Sequence, residues 1–507
     1  MLILIRPLKY IDGLLIPDDA YLAMTIAKNI GLGLGPLYGF DYTNGFQPMY
    51  VFLIVPVFWI FKSGLITPVH ASLFLLAVID TLSLFYLFKL IKSSTKSSFV
   101  PILMAVLWIF NPYIIENSLN GLETIISTFF IIVSLYFFKV KIADEAIDDR
   151  FYVRCFIFGI IIGLAILSRI DNCFLALSGI LVFTWQMLIR RMPLKEIISN
   201  SVIFILGICL VYLPWLVYSA HYTGDIYPIS GKAVRYQSLT YVYHQPTFFN
   251  NYAPMIKSAI ITVVENNWVY IIIIAAVLLA YPLARRKNSL KEFLKELLKK
   301  NPSIIILLIF GTFLFSGYTL YIFGHWFFNR YLFPLILVFI MVSSLLIDAY
   351  TAFFDRKIYR YLINSALLIF IIVATVSQPK YYAFYFSKDS NSKGYMNLGI
   401  WAKHNFKDGT RVACAQSGAL GYFADNLKVI NIDGKVNKRC FESLVMKRNI
   451  EYIKENQIEY IIGQEINIKY IEHESENFQP NDLIPMGKIE GFTSWGHLWY
   501  LYRVNYN

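Results

Sequence analysis

Long uncharged apolar runs constrain this chain more than any other feature. A helix that crosses the hydrocarbon core of a bilayer needs about 20 mostly apolar residues. Runs of about that length fall at 66–91, 99–115, 122–139, 152–168, 171–190, 199–220, 267–284, 302–323, 331–349 and 360–377. They predict a polytopic α-helical membrane protein of about 10–11 spans over residues 1–377. Composition points the same way. Of the 507 residues, 57% are hydrophobic and only 15% charged, and the mean hydropathy is +0.54, far from the balance of a water-soluble domain. The shorter apolar run Met49–Phe61 has the length of an interfacial or re-entrant segment.

Charge is gathered in the connections, and its distribution orients the spans. Basic residues follow the first, third, fifth, seventh and ninth spans. These are Lys92 and Lys96; Lys141 and Arg150; Arg190, Arg191 and Lys195; Arg285-Arg286-Lys287 through Lys299-Lys300; and Arg356, Lys357 and Arg360. The positive-inside rule makes these loops cytoplasmic. The alternation works only if Met49–Phe61 does not cross. It then puts Asp18, Asp19, the loop 221–266 and everything after residue 377 on the outer side of a cytoplasmic membrane. The formal net charge of +12 is thereby mostly topology, and it does not point to nucleic acid.

Residues 378–507 read differently, as a small extracytoplasmic soluble α/β domain. Arg411–Gln416, Lys428–Ile432 and Ile458–Ile462 have strand character, and Cys440–Asn456 reads as an amphipathic helix. Gln416-Ser417-Gly418-Ala419-Leu420-Gly421 lacks the GxGxxG spacing of a dinucleotide site, so the expected role is packing or acceptor docking. The five cysteines show no metal-ligand spacing, and Cys414 and Cys440 are a candidate pair in an oxidising compartment. Residues 1–16 are too short to span. Either the chain starts tilted into the interface, or a first span is missing from it.

The adjacent carboxylates Asp18 and Asp19 are the leading chemical feature. After Pro17, one suits a helix N-cap and the other the positive end of the helix dipole. Capping and catalysis are compatible, because each role needs one carboxylate. A second outer loop carries Glu116 and Glu123. Outer-side cations are few: Arg169, which has Asp171 as a ready ion-pair partner; Lys232 and Arg235; and Arg330. His325 and Arg330 flank Trp326-Phe327-Phe328-Asn329, where an aromatic belt anchor is also expected. Asp80 falls within a span and reads as a buried hydrogen-bonding residue.

At Asp18-Asp19-Ala20-Tyr21, Thr43-Asn44-Gly45-Phe46-Gln47-Pro48 and Asn120-Gly121-Leu122-Glu123, the chain resembles the GT-C glycosyltransferases. The likeness is to the arabinofuranosyltransferase and protein O-mannosyltransferase branches. The resemblance implies an enzyme that moves a sugar from a polyprenyl-phosphate donor to an extracytoplasmic glycan, lipid or protein, among membrane lipids. It implies Asp18 as the general base, with Asp19 the alternative, and Glu123 as a further catalytic carboxylate. Arg169, Lys232, His325 and Arg330 are the candidate substrate-binding residues. A divalent cation is a possible cofactor, with no metal ligand assigned. Such enzymes normally have a full span before the acidic pair, and residues 1–16 do not supply one. The lipid phosphate is itself a good leaving group, so one base and phosphate-holding cations suffice, and direct displacement inverts the anomeric centre. The competing reading is a transporter or flippase of lipid-linked sugars, which would want broken spans and midplane charges.

Overall fold

A computed structural model describes the chain apart from Met1, Ser63, 242–247, 285–297, 353–356, 389–393, Trp495 and Asn507. The basic run Arg285-Arg286-Lys287 and Arg356 lie outside the described residues. Among the described residues, eight helices are long and apolar enough to cross a membrane, from Ile66–Ser94 to Phe333–Thr351. Two more segments are apolar helix pairs bent at a break, by 65° between Phe99–Phe110 and Pro112–Ser118 and by 63° between Leu362–Val376 and Pro379–Phe386. The protein is a multi-pass membrane protein. With each bent pair taken as one span, the described residues hold up to ten.

Two expectations need correction. The run 99–115 is not one straight helix. Proline has no N–H and disfavours helical geometry in the residue before it. Asn111 is accordingly extended (ψ 117°), and its side chain accepts from Tyr113 N–H to start the short Pro112–Ser118 helix. The region 221–266 is not an open loop either. It contains a helix at Ile229–Tyr241 and the first part of the 37-residue helix Phe248–Ala284. Polar residues there are absorbed locally, as where Asn266 and Asn267 donate to the carbonyls of Thr262 and Val263. The Pro48–Ile60 helix has 13 residues, or about 20 Å at 1.5 Å per residue. That is shorter than the ~30 Å hydrocarbon core. Asp80 accepts from Trp108 Nε1 and Ser118 Oγ, a hydrogen-bonding role inside the bundle.

The charged loops collect at one end of the bundle. Lys139 pairs with Asp144 and Arg154 with Asp148, Arg190 donates to the Glu145 carbonyl, and Asp348 accepts from the backbone N–H of Lys96 and Ser97. Glu123 and Arg169 sit at the opposite ends of the same helices, Thr124–Phe137 and Phe151–Ser168.

The tail carries a five-stranded sheet in the order Lys428–Asn431, Arg411–Cys414, Tyr460–Gly463, His497–Val504, Leu483–Ser494. The first three are parallel and the last two antiparallel. Strand alternation sends Val412, Cys414, Val429 and Ile462 into the core shared with the membrane helices. Ala413, Ile430 and Ile461 go into a smaller core under the tail's own helices. Cys414 and Cys440 lie in these two different cores and are free thiols. The expected helix Cys440–Asn456 is two helices, Lys438–Val445 and Asn449–Glu455. It breaks where Lys447 takes a φ of 55°.

Candidate active site

The helix Asp18–Gly31 brings the acidic pair to the junction between the bundle and the tail. Neither carboxylate caps this helix, because its N-cap position, Pro17, has no side-chain hydrogen bond. Asp18 caps a different one. Its Oδ2 accepts from Gly418 N–H at 2.9 Å and its Oδ1 from Ala419 N–H at 2.8 Å, at the start of the tail helix Gly418–Phe423. The approach is so close that a Cβ on residue 418 would lie 2.0 Å from the Asp18 carbonyl oxygen. Burial pushes the Asp18 carboxyl up to about 7, against the pull of those two N–H groups.

Asp19 lies about 100° further round the helix and faces a cavity also lined by Tyr50, Glu123, Arg330 and Lys435. Its side chain is 21% exposed, with Arg330 Nη2 at 3.2 Å from Oδ2 and Lys435 Nζ at 3.9 Å from Oδ1. Burial alone would raise its pKa, but Lys435 and Arg330 outweigh it and hold the carboxyl below its ordinary range. Lys435 comes from the tail, just after the strand Lys428–Asn431. Burial works against its charge, but Asp433, 3.0 Å away, and Asp19 keep it protonated. Its ammonium lies 5.3 Å from the centre of the Phe327 ring, and the Arg330 guanidinium lies 4.9 Å from the same ring. The loop 43–48 makes room for this contact, since a Cβ on Gly45 would meet the Lys435 carbonyl at 2.1 Å.

Glu123 and Arg169 form a second buried group beside the first. Arg169 bonds Glu123 Oε1 at 3.2 Å and Asp171 Oδ2 at 2.7 Å, and Tyr318 donates to the same Asp171 oxygen at 2.6 Å. Arg169 also lines an apolar cavity of about 330 Å³ walled by Phe174, Tyr227 and Ile322. Gln47, Ser230, Val234 and Tyr331 line both this cavity and the one at Asp19.

The structure thus gathers Asp19, Glu123, Arg330 and, through Glu123, Arg169. Two other candidates lie apart. Lys232 pairs with Asp225 and lines a separate cavity with Arg235 and Phe441. His325 borders neither cavity at Asp19 and Arg169, and its buried Nδ1 has no hydrogen-bond partner. Of the four outer carboxylates, Asp19 and Glu123 line one cavity, and the others are engaged elsewhere. Asp18 is bonded to backbone, Glu123 to Arg169, and Glu116 to Lys380 and Asn329. Among the described residues no three His, Cys, Asp or Glu side chains are placed to hold a metal. Lys435 and Asp433 were missed by sequence reasoning. The available signal was the turn Asp433-Gly434-Lys435 directly after a strand of a parallel set, since ligands gather at the carboxyl ends of such strands.

Bundle and site together define a multi-pass membrane protein whose polar site, at one end of its helices, is completed by its tail. Its fold is that of the GT-C glycosyltransferases. It is similar to ArnT from Cupriavidus metallidurans bound to undecaprenyl phosphate, with a TM-score of 0.60 and 10% identity, covering 97% of this chain and 95% of that one. It is similar to the Archaeoglobus fulgidus oligosaccharyltransferase in complex with Zn and sulfate (TM-score 0.54, 16% identity, 94% and 68% covered). It is similar also to AglB of that organism with an inhibitory peptide and a dolichol-phosphate (0.55, 14%, 93% and 69%). Residues 382–502 match a family described as a domain of unknown function (DUF8728). No curated protein matches the chain.

Proposed function

We propose that the protein is an integral-membrane glycosyltransferase. In this reading it transfers a sugar from a polyprenyl-phosphate donor to an acceptor hydroxyl on the extracytoplasmic side of the cytoplasmic membrane, with inversion. The observation that carries this reading is Asp19, held between Arg330 and Lys435 in a cavity that these charged side chains and Glu123 line and that adjoins a more apolar one. The fold shared with ArnT bound to undecaprenyl phosphate supports the donor class. The basic loops gathered at the far end of the bundle support the orientation.

In this scheme Arg330 and Lys435 hold the donor phosphate, and the cavity of Phe174, Tyr227 and Ile322 takes the first part of the isoprenoid chain. The anomeric C–O bond breaks with its electron pair leaving on the polyprenyl phosphate, so no general acid is needed. The acceptor oxygen bonds to the same carbon from the opposite face and gives its proton to Asp19. Acidity alone would favour Asp18 as the base, because a pKa near the working pH suits proton transfer. Geometry outweighs this. Both Asp18 oxygens accept backbone N–H groups, and the residue is only 8% exposed. Asp19 gains basicity when it is needed, because an arriving phosphate competes for the two cations that depress it. Glu123 acts as a positioning residue that orients Arg169.

The test is sugar transfer in isolated membranes with a panel of labelled polyprenyl-phosphate sugars, comparing wild type with Asp18→Asn and Asp19→Asn at matched expression. Loss in Asp19→Asn, with protein still folded, is expected. Full transfer by Asp19→Asn would remove it as base, and transfer by both variants would remove carboxylate catalysis here altogether.

A further inference from the structure

Asp19 borders a second cavity, on the tail side, of about 190 Å³. Leu22, Phe327 and Lys435 line both this cavity and the one shared with Arg330 and Glu123, so the Asp19 side chain stands in the wall between them. The tail side is built from Gln416 and Asp433, which follow the carboxyl ends of the parallel strands Arg411–Cys414 and Lys428–Asn431. That is where sheets of this kind present ligand-binding groups. The Gln416 Oε1 is buried and has no hydrogen-bond partner in the structure. The bundle side supplies Trp326, which lines the same cavity.

We propose that this cavity is the acceptor site and that the acceptor it takes is a saccharide. The inference rests on the glycosyltransferase reading and narrows it. Carboxylates that only accept, an ammonium that only donates and an amide that does both match the vicinal hydroxyls of a sugar, each a donor and an acceptor. The Trp326 ring offers a flat apolar face to the C–H side of a pyranose. A lipid tail would want walls free of charge, and Asp19, Asp433 and Lys435 stand in this one. A peptide would want an extended groove lined with backbone partners. A sugar seated here presents one hydroxyl to Asp19. That oxygen bonds to the donor's anomeric carbon, its proton passes to the Asp19 carboxylate, and the polyprenyl phosphate departs through the other cavity.

The experiment uses the purified full chain in nanodiscs and two sets of probes. One is undecaprenyl phosphate; the other is a set of methyl pyranosides and disaccharides followed by saturation-transfer NMR. At least one saccharide is expected to bind, and Trp326→Ala and Gln416→Ala are each expected to weaken it about tenfold. Binding of undecaprenyl phosphate should not change, and Trp326→Phe should restore most of the saccharide signal. Lipid phosphate binding with no saccharide binding would overturn the acceptor inference and leave the glycosyltransferase reading standing. Failure of both probes would sink that reading itself. Saccharide binding undiminished in both alanine variants, each checked for an unchanged melting transition, would place the acceptor elsewhere. Transfer to a peptide unaffected by either variant would do the same.

Discussion

Asp18 and Asp19 are neighbours in one helical turn, yet their surroundings teach opposite lessons. Around Asp18 the structure is closed. Two backbone N–H groups of the tail fill the carboxylate, and a glycine admits the contact. Around Asp19 it is open, and the partners are two long cationic side chains that a substrate anion can draw away. Fixed backbone donors make a clamp, and exchangeable side-chain cations make a site. The same residue type, one position apart, thus joins two parts of the molecule in one case and faces a cavity lined by cations in the other.

Breaking the open side is expected to have the largest effect. Asp19→Asn should lower sugar transfer by about 10²–10⁴-fold, the usual worth of a positioned general base. Its melting temperature should stay close to wild type. Breaking the closed side should do the reverse. Asp18→Ala strands two buried N–H donors and should cost about 2–4 kcal/mol, seen as a lower melting transition and faster proteolysis between bundle and tail. Gly418→Ala should reproduce that phenotype without touching a carboxylate, because its Cβ collides with the Asp18 backbone. An Asp18→Ala protein that is fully stable yet inactive would reverse the two assignments.

Lys435 links the two sides, and removing it sharpens the comparison. Lys435→Met takes away the first of the charges that lower the Asp19 pKa. A depressed carboxyl stays ionised as pH falls until its own low pKa is reached, so the acid limb of kcat/KM in wild type should lie in the acidic range. In the variant that limb should move to higher pH. The donor KM should also rise about tenfold, for a lost charge-assisted contact of roughly 1.5 kcal/mol. Within wild type, the acid limb of kcat should sit above that of kcat/KM if bound phosphate competes for the cations. Coincident limbs would argue against that competition.

The spans were legible because a membrane imposes length and apolarity on each segment separately. The alternation of basic loops needed no three-dimensional information, and the loops whose side chains are described do meet at one end. Other features depended on local detail that hydropathy averages away. The break at Asn111-Pro112 was written in the proline but masked by apolar neighbours. The strand Leu483–Ser494 was obscured by register shifts between Pro485 and Gly487 and between Lys488 and Thr493. The site was only half legible. Asp19, Glu123, Arg169 and Arg330 stood out as rare charges in an apolar chain. Lys435 did not, because its value arises from a contact more than 400 residues distant in sequence, in a tail where charge is common.

Glu116 marks where the argument from rare charge stops. It shares an outer loop with Glu123, but only Glu123 falls in the motif Asn120-Gly121-Leu122-Glu123 that carries the resemblance. The structure gives Glu116 a lysine partner, Lys380, at 2.9 Å with that side chain 52% exposed, and an amide partner, Asn329, at 3.0 Å. Lys380 belongs to the short helix Pro379–Phe386, so the pair ties one bent segment to the other. An ion pair this open to solvent is worth about 0–1 kcal/mol. Glu116→Gln should therefore leave transfer within about twofold of wild type and stability within about 1 kcal/mol. Glu123→Gln should lower transfer more strongly, because it removes a charge partner of the buried Arg169 beside the site. Equal losses in the two variants would mean that the loop works as one acidic unit, and that the boundary of the site runs further out than Glu123.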